Sequence, residues 1–451
     1  MPSARTRLML SLALFAPLVA LAGWLGHGLW TRHFFDFYDI LFNIDLPTRY
    51  GLFAEGSGGE GLSLMHPNLW LVHAPVRVLA LLMAKSGLVT DAAALRGTLA
   101  LWVTPLALGL TAVVLLDLFL HLGLPPARAM LAALLAALSF SSLLFGSITD
   151  HFALGGLSIA LTFWLAERSL RGGRLPWLPW LATGFFVTAV TVTNAAIFAI
   201  VLGLTAWHLR PRALRAAALI LAGAVGGNLA LHLLVNFVKE GVWGLHETSY
   251  GAIGLDDFFV FSLARLADLP FALLNSLSPL GYLRHIDGFG RLIFSFAGVH
   301  AGALLHWLPG ALALALIGAG VWAGLRSGGR LGFLTLAALA VVAFNMAFHA
   351  VWGHEYFLYS QHWLVALVLP AAAALHPAWR PSRLAAALAP AVVAFMLWNN
   401  LATLRAIMDD YELINPYYDA VAVGLVQSGG PLAEGEAVHN PRPCPPPAAS
   451  I

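Results

Sequence analysis

Stretches of about twenty apolar residues recur along this chain from one end to the other, and that pattern confines the fold to helices packed in a lipid bilayer. The first runs from Leu8 to Leu29, behind Arg5 and Arg7. Others cover 97–119, 129–147, 152–166, 213–236, 303–325, 331–351, 357–375 and 384–403. The stretch 177–208 is long enough for two short passes that reverse at Thr191, Thr193 and Asn194. Charge is correspondingly scarce: Lys, Arg, Asp and Glu make up 10% of 451 residues, against about 25% in a soluble domain. Such a chain does not cover a water-facing surface of its own size, which excludes a soluble globular protein and a disordered one. The formal net charge of +2 is too small to drive binding to a nucleic-acid backbone. The single cysteine, Cys444, excludes an intramolecular disulfide framework and a Cys-x-x-Cys metal site. The first stretch is longer than a secretory h-region and lacks a small-residue cleavage site, so it reads as a retained helix.

Arginine sets the orientation. Clusters at Arg168/Arg171/Arg174, Arg210/Arg212/Arg215, Arg326/Arg330 and Arg380/Arg383 all fall on the cytoplasmic side under two conditions. The stretch 177–208 must be a hairpin, and the piece 68–84, with His73, Pro75 and Arg77, must lie along the membrane instead of crossing it. Letting 68–84 cross would put the first long loop and the next three arginines on one side. The expectation is therefore an all-α polytopic protein with about eleven spans, N-terminus inside and C-terminus outside. Residues 1–403 form one transmembrane domain, with interfacial helices in a first outer loop, 31–96, and a second outer loop, 237–302. Residues 404–451 form an extracytoplasmic tail ending in a Pro-rich run expected to be disordered.

This layout gathers acids and histidines on the outer face. Asp36, Asp39 and Asp45 follow the first helix, and a carboxylate at a low-dielectric boundary is a candidate general base. Arg49, four residues after Asp45, is placed to hold it ionised. His66-Pro67 opens the interfacial piece, and Asp150-His151 occupies a very short turn between two spans. Glu355, Tyr359 and His362 share a face if 355–362 is helical, forming a polar stripe that enters the bilayer. Glu355 and His362 are candidate ligands for a divalent cation. Each group also has a plainer reading, as a solvated loop, a helix cap or an inter-helix hydrogen bond. Asp256, Asp257, Arg284 and His285 read most simply as part of a solvated loop.

The arrangement resembles the type C glycosyltransferase (GT-C) superfamily, which includes protein O-mannosyltransferases and lipid A aminoarabinose transferases. The resemblance is carried by the first loop with Asp36, Asp39 and Asp45, the segment after His66-Pro67, the short turn with Asp150 and the hairpin 184–212. More narrowly, residues 40–49, His66-Pro67 and 355–360 look like a group of bacterial membrane proteins of this kind. The superfamily often has an acidic pair directly after the first helix. Here the acids are spread, so the resemblance leaves the base open between them.

The resemblance implies an enzyme of the bacterial inner membrane that moves a sugar from a polyprenyl-phosphate carrier to an extracytoplasmic glycan, lipid or protein. Asp45 or Asp39 would act as base, and Arg49, His66, Asp150, His151 and Tyr359 would contact substrate. Two other classes compete. A lipid or sugar transporter would carry ionisable residues at mid-bilayer, where this sequence offers little beyond Asn194, His232 and Asn345. A non-catalytic assembly protein has no distinguishing mark in the sequence.

Overall fold

The computed structural model describes residues 2–32, 34–35, 41–42, 44, 46–54, 65–240, 263–286, 292–296, 304–353 and 356–412. Asp36, Asp39, Asp45, Glu355, Asp256, Asp257 and the Pro-rich tail lie outside those residues.

The described chain is overwhelmingly helical. Helix α1 (Ala4–Thr31) starts where the Ser3 hydroxyl accepts a hydrogen bond from Thr6 N–H at 3.1 Å. Two first-loop helices follow, α2 (Leu46–Ala54) and α3 (Trp70–Lys85). With 16 residues, α3 is shorter than a span needs, and it exposes Val78, Leu79, Leu81 and Leu82. Helix α4 (Ala92–His121) is capped by Asp91, which accepts from the N–H groups of Ala93 and Ala94 at 2.8 and 3.0 Å.

The apolar stretch 129–147 is a bent pair, α5 (Pro126–Ala137) and α6 (Phe140–Ser147), turned by 65°. Ser139 caps the second half. The backbone carbonyl of Leu138, freed at the bend, accepts a hydrogen bond from Asn400 at 2.8 Å, as buried polar backbone in a bilayer requires. Then come α7 (Phe152–Gly172), α8 (Trp177–Val190) and α9 (Asn194–Leu209). The last two form a hairpin that turns at 191–193, where the polar triplet led us to expect a reversal.

After α10 (Pro211–Glu240) and α11 (Leu263–Leu277) comes a feature the all-α expectation lacked. It is an antiparallel β-hairpin of β1 (Leu283–Ile286) and β2 (Leu292–Ser295). Arg284 and His285 lie on β1. The Phe42 amide donates to the Phe294 carbonyl at 2.9 Å, which ties this hairpin to the first loop.

Helices α12 (Leu304–Ser327), α13 (Gly329–Val351), α14 (Gln361–Val368), α15 (Ala371–Leu375) and α16 (Ser382–Glu412) complete the bundle. Among the described residues, six helices are long and apolar enough to cross a membrane, or seven if the bent pair is one span. Glycines let backbones meet closely, as is common where membrane helices cross. A Cβ at Gly26 would overlap the Ser147 carbonyl, and one at Gly320 the Pro370 carbonyl.

One expectation is corrected here. Residues 356–362 are not a continuous helix. Gly353 adopts φ of 87°, Phe357–Tyr359 form a 3-10 turn, and α14 begins only at Gln361. Tyr359 and His362 therefore sit on two elements, the turn and α14, and Glu355, expected to share their face, lies outside the described residues.

Candidate functional site

One end of the bundle collects side chains from seven separate stretches of sequence. The first anchor is the segment 65–69, held against the tip of the α8–α9 hairpin. Val192 N–H donates to the Met65 carbonyl at 2.9 Å, and Asn68 N–H to that of Ala189 at 3.3 Å. Asn68 also donates to the Asn228 side-chain oxygen at 2.8 Å, while Asn228 donates to Thr188 Oγ1 at 2.5 Å. His232 Nδ1 donates to the Pro67 carbonyl at 3.0 Å. Polar residues inside α10 thus clamp a loop, which satisfies buried amides that would otherwise be costly.

This clamp orients His66. Its Nδ1 lies 2.8 Å from the Val190 carbonyl, and a carbonyl only accepts, so Nδ1 carries the proton and Nε2 offers a lone pair. The ring lies 4.0 Å from that of His151, centroid to centroid, tilted by 52°. His151 sits beside Asp150 in the tight turn between α6 and α7. Asp150 Oδ1 accepts from the His151 backbone N–H at 2.5 Å, within the turn that precedes α7. The same oxygen is 2.5 Å from His151 Nδ1, but that nitrogen has no hydrogen bond of acceptable angle; the ring contact is proximity, not a directed bond. Arg49, on α2, brings its Nε to 3.9 Å from Asp150 Oδ1. Both side chains are almost wholly buried, at 6% and 2% exposure.

Burial dominates the electrostatics. It pushes the Asp150 carboxyl up from 3.8 to about 6, with Arg49 pulling the other way. It pushes His66 and His151 well below the usual imidazole range, and Arg49 adds to that in both. At pH 7 the group is an ion pair flanked by two uncharged imidazoles.

A second cluster adjoins the first through Phe152, whose ring is 4.1 Å from His151 and 5.8 Å from His362. Tyr359 stacks on His349 at 4.1 Å and 17°, and each of these rings is 6.0 Å from His362. Gly353 makes this possible: a Cβ there would run into the Tyr359 ring at 2.5 Å. Helix α14 seats on α7 because Gly155 and Gly156 lack side chains, with Gln361 donating to Ser141 Oγ at 2.7 Å.

Arg49, His66, Asp150, His151, Tyr359 and His362, singled out in the sequence, thus come together. Asp39, Asp45 and Glu355 lie outside the described residues. Among the described residues, no three His, Cys, Asp or Glu side chains are grouped to hold a metal ion. The sequence reading passed over His349 and Asn228. The available signal was an ionisable or carboxamide side chain inside an apolar span, which rarely stands there without a partner. A groove of about 720 Å³ opens between α1 and α16, lined by Trp24, Arg32, Trp398 and Arg405 among others, but contains none of the clustered residues.

No family model matches the chain, and no curated protein matches it. Its function has to be argued from these residues.

Proposed function

We propose that this protein is an integral membrane glycosyltransferase of a bacterial inner membrane. It would transfer a sugar from a polyprenyl-phosphate carrier to an extracytoplasmic acceptor. The observation that carries this reading is the convergence of Arg49, His66, Asp150 and His151 in one buried group. The resemblance to type C glycosyltransferases supports it further.

In this reading Asp45 or Asp39 takes the proton of the acceptor hydroxyl. The oxygen attacks the anomeric carbon, the bond from that carbon to the phosphate oxygen breaks, and the electron pair leaves with the carrier phosphate. The leaving phosphate gains negative charge, and Arg49 is the cation available to it. Asp150 is suited to release Arg49: with its carboxyl at about 6, it takes up a proton at little cost when an anion competes for the guanidinium. His66 presents an acceptor nitrogen, which fits a substrate hydroxyl better than a phosphate oxygen.

About eleven spans with the N-terminus inside follow if α7, the two hairpin arms and the segment α14–α15 also cross. Gly26 of α1 against Ser147, and the 191–193 tip against Met65, support a common outer end for the first loop, the Asp150 turn and the hairpin tip. Transport fits less well. Two of the polar residues inside spans are engaged in packing, His232 with Pro67 and Asn345 with the carbonyls of Val341 and His362.

The test uses membrane vesicles and a radiolabelled polyprenyl-phosphate sugar. Asp45→Asn and Asp39→Asn are compared with the wild type at matched abundance. Loss of the base should lower transfer by about 100-fold or more in one of them. Full transfer by both would remove this reading.

A further inference from the structure

The groove of about 720 Å³ between α1 and α16 takes no part in the site described above, and its polarity is graded along its length. At one end stand Trp24 and Trp398, which are 66% and 52% exposed. At the other stand Arg32, Arg405 and Asp409. The two helices therefore pass the groove in the same direction, with apolar end beside apolar end. From Trp24 to Arg32 the groove follows about 12 Å of α1, and from Trp398 to Asp409 about 16 Å of α16. That is about half of a hydrocarbon core of about 30 Å, the depth of one leaflet.

This length decides between occupants. A membrane helix of a partner or of a second copy would run the whole thickness and call for a continuous face along both helices. A lipid ends at mid-bilayer and carries its one polar group at the membrane surface, which is the polarity of the groove. The volume also falls in the range of about 300–1,000 Å³ in which small molecules are held.

Charge selects the head group. Arg32 is half-buried at the end of α1, where its Nη1 donates to the Gly28 carbonyl at 3.1 Å. Arg405 Nε lies 3.6 Å from Asp409 Oδ2, one turn further along α16. Among the described residues, two guanidinium groups against one carboxylate leave this end of the groove with one positive charge in excess. A phosphodiester carries one negative charge, and its oxygens match the planar fork of a guanidinium. A zwitterionic head group would add an ammonium, and the carboxylate lining the groove is already matched by Arg405.

We infer that the α1–α16 groove binds one anionic phospholipid, with its phosphate on Arg32 and Arg405 and its chains between Trp24 and Trp398. The leaflet is the outer one under the orientation proposed above. The site is independent of the glycosyl-transfer reading.

The full chain is purified in detergent, and retained lipid is counted by native mass spectrometry as phosphatidylglycerol, phosphatidylcholine, polyprenyl phosphate or glycerol 3-phosphate is added, singly and in pairs. Two variants are compared with the wild type. Arg405→Gln removes a cation whose side chain is 82% exposed, and the surface pair it breaks is worth little to the fold. Ala402→Trp fills the groove from an exposed position. The wild type should hold one phosphatidylglycerol about fivefold more tightly than phosphatidylcholine, the worth of one cation near a membrane surface. Arg405→Gln should bring phosphatidylglycerol down to the level of phosphatidylcholine, and Ala402→Trp should weaken the binding of both. Equal retention of the two phospholipids by the wild type, or unchanged phosphatidylglycerol in both variants, would overturn the site. Tighter retention of polyprenyl phosphate than of phosphatidylglycerol would overturn the assignment to a phospholipid. Displacement of phosphatidylglycerol by glycerol 3-phosphate, which has no chains, would show a bare phosphate site and overturn the role given to the apolar groove.

Discussion

Replacing Arg49 by Gln should make Asp150 destabilise the fold increasingly as pH rises above 6, a window in which its contribution in the wild type has levelled off. In the fold Asp150 holds its proton more tightly than an unfolded carboxyl, about 6 against 3.8. Its contribution therefore favours the fold below pH 3.8 and fades as pH rises to 6, at about 1.4 kcal/mol per pH unit. Above 6 the wild-type carboxyl is ionised against Arg49 and the effect stops growing. Arg49 is the main influence holding that carboxyl down. In Arg49→Gln the proton stays on to a higher pH, and stability keeps falling past 6. From pH 6 to 8 the gap between variant and wild type should widen by up to about 2.7 kcal/mol. At pH 5 both proteins carry a largely protonated Asp150, and the gap is at its smallest. The assay is thermal unfolding in detergent micelles at pH 5 and pH 8. A control, Asp150→Asn, should remove the share of the dependence that Asp150 carries; it leaves Arg49 buried as a cation unable to shed its proton, at about 3–5 kcal/mol. A gap between Arg49→Gln and wild type that is the same at both pH values would refute the claim that the two groups share one buried electrostatic site.

Other consequences follow from the packing. Asn228→Leu should lower stability by about 1–3 kcal/mol, since it removes the side-chain hydrogen bonds to Asn68, Thr188 and the Phe185 carbonyl, and should speed amide exchange across 65–69; exchange unchanged there would mean that α10 does not hold the loop. Gly26→Ala should push α1 away from the Ser147 carbonyl, lowering the melting temperature by the equivalent of about 1–3 kcal/mol, and a variant that melts like the wild type would refute the close crossing. In a Cys444→Ser background, Glu60→Cys should react with a membrane-impermeant maleimide from outside and Gly172→Cys only from the cytoplasm; cytoplasmic labelling at position 60 would reverse the orientation.

The long spans were legible because lipid allows few solutions. A backbone that cannot bond to water must close its hydrogen bonds within each helix, so stretches of about twenty apolar residues mark the helices directly. The hairpin reversal was also legible, since Thr191, Thr193 and Asn194 interrupt an apolar run. The β-hairpin at 283–295 was not, because its pairing depends on a partner strand and on Phe42 from a distant loop. The break at 353–360 was equally hidden. Its residues have a helical spacing, and the turn is decided by Gly353 packing under the Tyr359 ring.

At the site, residue type and position along the chain were enough to single out Arg49, His66, Asp150, His151, Tyr359 and His362. They are polar groups in a chain that carries few, at the ends of apolar runs. What they do to one another was decided only by the fold. Proton affinity depends on burial and on charges a few ångströms away. Asp150 meets Arg49 across about a hundred residues of sequence, and His66 takes its tautomer from a carbonyl 124 positions away. Periodicity describes neighbours along a helix; desolvation and charge are summed over neighbours in space, which a linear sequence does not list.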